Sequence, residues 1–393
     1  MRYLTDNVLI VGASVAGVGL ANELRRDGYA GEITLVDGQP HLPYDRPPLS
    51  KAALSDPTGV RVHFHDADYY REHGIALKLG VPVTRFDAAA RTIELASGDL
   101  CTAETVIIAT GARARPFPTG EGSGYIHLLR DLDHADQLRA ELVPGKSLAI
   151  IGGGFIGAEV ASSAARMGAE VVLLEAAMVP FERLLGTKVS ERLALLHRER
   201  GVDLRCGASV LKIEKLGSGK SRLIMADETT VEADIIVAGL GSLPNVEWLE
   251  GAGLTVSNGV ICDEHGKTGW EGVYAVGDVA AWRNVRTGLH ERHEHWTAAR
   301  EQARIVAHDI SGAVNTDWSD FIPYFWSDFH GKRIQVLGAT KAATSVQFVF
   351  EDVEKGAFVA EYYCDGVLIG VVGCNAASRT MRYTTQLAQP ASV

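Results

Sequence analysis

The sequence contains no pair of cysteines at C-x-x-C spacing; Cys101, Cys206, Cys262, Cys364 and Cys374 stand apart. Neither a disulfide framework nor a zinc site is indicated, and a reducing cytoplasm suits them. His290, His293 and His295 fall at i, i+3 and i+5, which is not one helix face, so no metal is expected. No apolar run is long enough to span a membrane, and the stretch after Arg2 and Asp6 is too short and glycine-rich for a secretory signal. Positive charge is also scarce: 38 Lys and Arg stand against 49 Asp and Glu, a formal net charge of −11 with no basic, aromatic-interleaved stripe, which excludes nucleic acid as the expected partner. An acidic protein partner would need a local basic patch. Lys332 and Arg333 with Lys341, or Arg379 with Arg382, supply two candidates, though the same residues read equally as scattered solvated charge. What is present, 393 residues of which 46% are hydrophobic and 22% charged, suffices for two to three domains with sizeable cores.

The stretch around which the chain is organised is Val8 to Gly17. A short apolar run reads as a buried strand, a turn of small residues follows, and Gly19 to Arg26 continues with helical spacing. At a strand–turn–helix junction the first helical N–H groups are unpaired and the helix dipole favours anions. Gly12 permits the sharp turn and Gly17 close helix–strand packing, while Asp37, 25 residues past Gly12, is placed to accept hydrogen bonds from a ribose. Ser14 departs from G-x-G-x-x-G at its second glycine and leaves less room for a pyrophosphate. By itself the motif also fits an ordinary strand–helix turn.

A second copy removes most of that ambiguity. Ser147 to Ile151 is apolar, Gly152, Gly154 and Gly157 complete the pattern, Val160 to Met167 reads as helix, and Glu170 to Glu175 as a strand ending in an acid 23 residues past Gly152. Two such folds imply two dinucleotides, and the simplest pairing is a resident flavin with a visiting nicotinamide.

Between and beyond the copies the order is informative. Arg46-Pro47-Pro48-Leu49-Ser50-Lys51 reads as a rigid turn leading into a helix capped by Ser50, presenting Arg46 and Lys51 as cations. Residues 75–112 alternate as strands with turns at Gly80 and Ser97-Gly98, and close on Ala109-Thr110-Gly111, where backbone can approach a flat or charged group. Arg113 to Pro118 reads as a linker. A helix is expected from about Lys188 to Arg200, strands near 203–236, and a glycine-rich crossing at Gly239 and Gly241. Gly272 to Ala280 then reads as a buried strand ending in Gly277-Asp278, so the first domain resumes after an inserted second one. Thr297 to Ile310 is helical. Strands follow at Ile334–Leu337, Ser345–Phe350, Ala357–Cys364 and Val367–Cys374, with a hairpin turn at Asp365-Gly366 and a frayed tail from Ala388. The fold class is α/β: residues 1–112 and 243–320 form one dinucleotide-binding domain, 113–242 a second, and 321–393 a small α+β C-terminal domain.

Taken together, the first glycine motif, Arg46 to Lys51, Ala109 to Gly111, Gly152 to Glu159, Gly277-Asp278, Glu294-His295-Trp296 and Tyr324 to Asp328 resemble the FAD-dependent NADH:ferredoxin reductases of bacterial Rieske oxygenases and haem-thiolate monooxygenases, over essentially the whole chain. The resemblance implies a glutathione-reductase-like architecture of two Rossmann-like domains. It also implies that Gly12, Ser14, Ala16 and Gly17 hold the FAD pyrophosphate, Asp37 its ribose, Val83 its adenine, Arg46 and Arg130 its phosphates, Asp278 its ribityl chain, and backbone near Trp296 its pyrimidine edge. By the same resemblance Ala109 and Gly111 would belong to that cofactor site. Lys51 would lie beside flavin N5, Glu159 near Lys51 and the nicotinamide carboxamide, and Trp326 beside the ring. Gly152, Gly154, Phe155, Ile156 and Gly157 would cradle the NADH pyrophosphate, Glu175 its ribose diol, and Gly241 the floor under the nicotinamide.

The implied chemistry is hydride transfer from NADH to FAD, then single-electron transfer to a transient 2Fe-2S ferredoxin that supplies a terminal oxygenase. Lys51 would stabilise negative charge on the reduced flavin. Glu175 would accept from a free 2′-OH and repel a 2′-phosphate, which favours NADH. The protein is expected in the cytoplasm, off membranes, as a monomer or homodimer. Disulfide or peroxide reduction is disfavoured because Pro48 to Ala53 carries no sulfur. An NADH-responsive flavoprotein of the apoptosis-inducing-factor type, or an NADH oxidase using oxygen directly, remain as rivals.

Overall fold

A computed structural model describes residues 7–55, 62–118, 125–285, 288–314, 318 and 321–388. They fall into two compact units, the first drawn from 1–45, 62–113 and 243–323, the second from 46–61, 114–242 and 324–393.

In the first unit the apolar strand Asn7–Val11 is central in a five-stranded parallel sheet, flanked by Glu32–Asp37 and Thr105–Ile108, with Ile75–Leu79 and Val273–Ala275 at the edges. Central strands covered on both faces carry near-continuous apolar runs, which is why Val8 to Val11 and Val106 to Ile108 are buried throughout. The strand at Val273 pairs with Thr105–Ile108 although the second glycine motif lies between them in the chain. Helices Val15–Arg26 and Trp296–Ser311 contribute Leu20, Leu24, Ala303 and Ile305 to the same core. Three antiparallel strands, Val83–Asp87, Thr92–Leu95 and Leu100–Thr102, branch from it.

The second unit repeats the plan. Ser147–Ile151 is central between Glu170–Glu175 and Ile235–Ala238, with Asp203–Cys206 and Ile126–His127 outside, all parallel. Helix Phe155–Arg166 follows the first strand, and Val210–Lys215, Ser221–Met225 and Thr230–Ala233 form the matching antiparallel branch. The helix expected from about Lys188 runs over Glu182–Arg198 with a break at Gly186 (φ 67°, ψ 165°), so only its second part keeps regular spacing.

The chain then builds a five-stranded antiparallel sheet in the order Tyr324–Phe329, Lys332–Gly338, Val367–Cys374, Ala357–Cys364, Ser345–Asp352. Asp365 and Gly366 both take positive φ, 49° and 81°, the backbone a two-residue hairpin needs. Tyr324 to Phe329, which is not among the strands expected from the sequence, is itself an edge strand. Short helices at Ala377–Thr380 and Thr384–Ala388 close the described chain; the frayed tail expected from Ala388 lies, beyond that residue, outside the described residues.

The molecule is thus mixed α/β, with two Rossmann-like parallel-sheet cores and a C-terminal sheet domain.

Candidate functional site

Two cradles share one construction. In the first unit Gly12 has φ +113°, and a Cβ there would stand 2.2 Å from Ala109 O; a Cβ on Gly17 would stand 2.0 Å from Gly12 O. Only glycines let helix, strand and neighbouring strand close on one another here. Val18 N donates to Ser14 O at 2.9 Å, so the N–H groups of Val15, Ala16 and Gly17 lie ahead of the helical ladder, where an anion can meet them. Asp37 is locked in place: Oδ2 accepts from Ala13 N at 2.7 Å and Oδ1 from Gln39 N at 2.8 Å. Val81 N donates to Asp37 O at 3.1 Å and brings the strand beginning at Val83 alongside.

The turn Gly277–Val279 carries Asp278 to the same place, since a Cβ on Gly277 would lie 3.1 Å from Ala16 Cβ. Buried Gln302 holds that turn by accepting from Gly277 N at 2.8 Å. Trp296 opens its helix and donates from Nε1 to Asp45 Oδ1 at 2.9 Å. The preceding His295 is kept neutral: burial and neighbouring His293 push its pKa down to about 4 against the pull of Asp278 and Glu294. His293 is likewise lowered by burial, and His290 lies exposed on a strand. Among the described residues no group of three His, Cys, Asp or Glu side chains is arranged to hold a metal.

In the second unit Gly152 has φ +105° with Gly239 O 2.4 Å from its Cβ position, and a Cβ on Gly157 would stand 2.1 Å from Gly152 O. Glu175 repeats Asp37, accepting from Gly153 N at 2.7 Å and Ala177 N at 2.7 Å. A Cβ on Gly154 would meet nothing within 4 Å. The second glycine of the pattern is therefore not demanded by the protein's own packing, and Ser14 at the equivalent position of the first cradle costs the fold nothing. Ile156 is 46% exposed at the helix start. The Phe155 ring instead packs on Phe181 at 4.7 Å and Phe325 at 5.1 Å, leaving only its backbone to a ligand. Gly241 has φ +87° and open space at its Cβ position.

The same unit gathers the cationic turn. Pro47–Ser50 is a single 3-10 turn, so Ser50 is not the helix cap the sequence suggested: its backbone is consumed in that turn and its side chain is buried. The hydroxyl donates instead to Glu159 Oε2, and Ser50 O accepts from Ser163 Oγ at 2.8 Å. The next residue, Lys51, places Nζ 2.8 Å from Glu159 Oε1. Glu159 is 3% exposed on helix Phe155–Arg166 and also accepts from Ser327 Oγ at 2.6 Å. Arg46 Nη1 donates to Arg130 O at 2.6 Å, which brings those two cations together. Trp326 is half-buried beside Tyr324, ring centroids 6.1 Å apart. Of the two basic patches, Arg333 is paired with Asp328 at 2.8 Å, and Arg379 lies 4.0 Å over the Phe350 ring.

Sequence reasoning missed Ser50 as a side-chain ligand, Ser327, Asp45 and Gln302. Ser327 alone left a signal, a polar residue in phase with apolar Phe325 and Phe329.

Comparison with known proteins agrees with this fold. Residues 6–303 match the pyridine nucleotide-disulphide oxidoreductase family model, and 324–393 the reductase C-terminal model. Rhodocoxin reductase of Rhodococcus erythropolis is 34% identical over 94% of this chain and 86% of its own length. The ferredoxin–NAD(+) reductase component of the p-cumate 2,3-dioxygenase system of Pseudomonas putida is 39% identical over 85% and 81%. In the crystal structure of the covalent putidaredoxin reductase–putidaredoxin complex, a chain of 32% identity superposes with a TM-score of 0.92, covering 98% of this chain and 93% of that one. With two glycine cradles, two backbone-locked carboxylates and the C-terminal sheet in sequence, the chain belongs to the pyridine nucleotide-disulphide oxidoreductase family, in the group whose members carry this reductase C-terminal domain.

Proposed function

We infer that this protein is an FAD-dependent reductase that oxidises NADH and passes the electrons singly to a 2Fe-2S ferredoxin serving an oxygenase. The observation that carries the reading is the duplicated cradle, each copy with its acid locked by two N–H donors, in a chain similar to ferredoxin–NAD(+) reductase components. The first cradle fits FAD: a helix start free of helical acceptors, a fixed carboxylate at Asp37, and the Gly277–Val279 turn, which carries Asp278, closing on Ala16 through Gly277. Gly12, Ser14, Ala16 and Gly17 would hold its pyrophosphate, Asp37 its ribose, Val83 its adenine and Asp278 its ribityl chain, with Ala109, Gly111 and Trp296 completing the part of its site that the first unit supplies. FAD supplies an acceptor that takes two electrons as hydride and releases them one at a time.

The chain's own residues do the rest. Backbone at Gly154 to Gly157 binds the NADH pyrophosphate, Gly241 leaves room for the nicotinamide, and Trp326 flanks it. Glu175, with both oxygens already fixed, presents a carboxylate that accepts from a ribose 2′-OH and repels a 2′-phosphate. Lys51 supplies a cation held by Glu159, and that cation would stabilise the negative charge that hydride transfer brings to the acceptor. Disulfide chemistry lacks its residues: the five cysteines are free and none lies in the 46–55 turn. The partner docks transiently over a small area, since electron transfer requires proximity more than tight fit. The reading places the protein in the cytoplasm; among the described residues no helix is long and apolar enough to cross a membrane.

The test is anaerobic. The purified protein is expected to be yellow, to bleach with NADH at a far higher kcat/KM than with NADPH, and to reduce two equivalents of a 2Fe-2S ferredoxin per NADH. A protein that stays colourless when supplied with FAD refutes the reading. Bleaching without ferredoxin reduction, with oxygen consumed instead, turns it into an NADH oxidase.

A further inference from the structure

Glu159 is held by more than its lysine. Strand alternation turns Phe325, Ser327 and Phe329 of the edge strand to one face and Tyr324 and Trp326 to the other. The first face runs along helix Phe155–Arg166. Phe325 meets the Phe155 ring at 5.1 Å, and Ser327 Oγ donates to Glu159 Oε1 at 2.6 Å, a helical turn further on. Just past the strand, His330 N donates to Ser162 Oγ at 2.7 Å. Glu159 thus receives three side chains, Lys51 and Ser327 on one oxygen and Ser50 on the other, and Asp328 N adds a longer backbone contact of 3.4 Å to the first oxygen.

A buried carboxylate is held where its donors put it, because each lost hydrogen bond leaves charge unsatisfied in a low dielectric. We propose that Ser327 is a positioning residue for hydride transfer. It fixes the Glu159 carboxylate, and the fixed carboxylate aims the Lys51 ammonium. Because Trp326 precedes Ser327 on the same strand, one element of the C-terminal sheet sets the place of the aromatic wall and, through Glu159, of the cation. Ser50 completes the clamp from the other side. The role of Lys51 rests on the reading above; the arrangement of the three side-chain donors does not.

The test is a double-mutant cycle with Glu159→Gln, read by stopped-flow bleaching of the holoprotein under anaerobic NADH. Ser327→Ala is expected to lower the limiting rate about tenfold, as loss of one hydrogen bond to a charged group implies. NAD⁺ affinity by calorimetry should stay within about twofold of the parent. Ser327→Thr should restore the rate, and Ser327→Ala should add nothing in the Glu159→Gln background. A parental rate in Ser327→Ala, or full additivity with Glu159→Gln, overturns the proposal. If Ser327→Ala does not fold as holoprotein, Ser50→Ala enters the same cycle with the same expected outcome. If NADH does not bleach even the parent, the functional reading fails, and crystal structures of parent and Ser327→Ala still decide the inference. An Nζ–Oε1 separation opened beyond the parental 2.8 Å supports it, and an unchanged one refutes it.

Discussion

Lys51 Nζ stands 2.8 Å from Glu159 Oε1, with the lysine side chain 20% exposed and the glutamate 4%. A pair so far withdrawn from water is costly to break from one side, because the partner left behind is an uncompensated buried charge.

Lys51→Met is therefore expected to retain FAD while slowing its reduction by NADH about a hundredfold, the scale of losing one electrostatic stabiliser. Stability should fall by about 3–5 kcal/mol. Adding Glu159→Gln should recover much of the thermal midpoint without the rate. Stopped-flow absorbance and calorimetry check both, and a parental bleaching rate in Lys51→Met would remove Lys51 from the reaction.

Two glycines of the second cradle should behave oppositely. A Cβ on Gly157 meets Gly152 O at 2.1 Å, so Gly157→Ala must separate helix from strand and is expected to destabilise by about 1–3 kcal/mol. A Cβ on Gly154 meets nothing within 4 Å, so Gly154→Ala should keep the parental thermal midpoint yet raise KM for NADH about tenfold, because the methyl enters the space a pyrophosphate needs. Thermal melts and steady-state kinetics on the two variants separate packing from binding.

Acid should weaken the second unit through His197 and His330, whose ring nitrogens lie 2.9 Å apart. Burial, His330 and Arg198 push the pKa of His197 down to about 3, and burial with Arg200 pushes His330 to about 4. Both values lie below the unfolded one near 6.5, so between pH 6.5 and 4 the unfolded chain binds protons that the folded chain refuses. The stabilisation is fully present above pH 6.5 and drains as pH falls towards 4. For fully buried His197 it amounts to about 3 kcal/mol over that range. Denaturant melts from pH 7 to 4.5 should show the loss, and His197→Leu should flatten it; an equal slope in that variant would refute the assignment.

How far the sequence reached can be read from individual residues. Gly12, Gly17, Gly152 and Gly157 were legible because backbone sterics act over a few neighbouring residues, and Asp37 and Glu175 because a strand of fixed rise carries an acid a fixed distance from the turn. Ser50 misled because its local context suits a helix cap equally well, and only packing against Glu159 decided otherwise. What the sequence left open at Phe155 was its ring, which packs on Phe181 and Phe325 from elsewhere in the chain.

The sequence by itself determined the two cradles, their strand–turn–helix order and the acid that ends the second strand of each, since each rests on local dihedral limits and periodicity. Only the tertiary structure decided that Ser50, Lys51 and Ser327 converge on Glu159, and that His197 meets His330. Those encounters join segments far apart in the chain, and a buried charge or ring takes its partners from whatever side chains the packed core leaves within hydrogen-bonding reach.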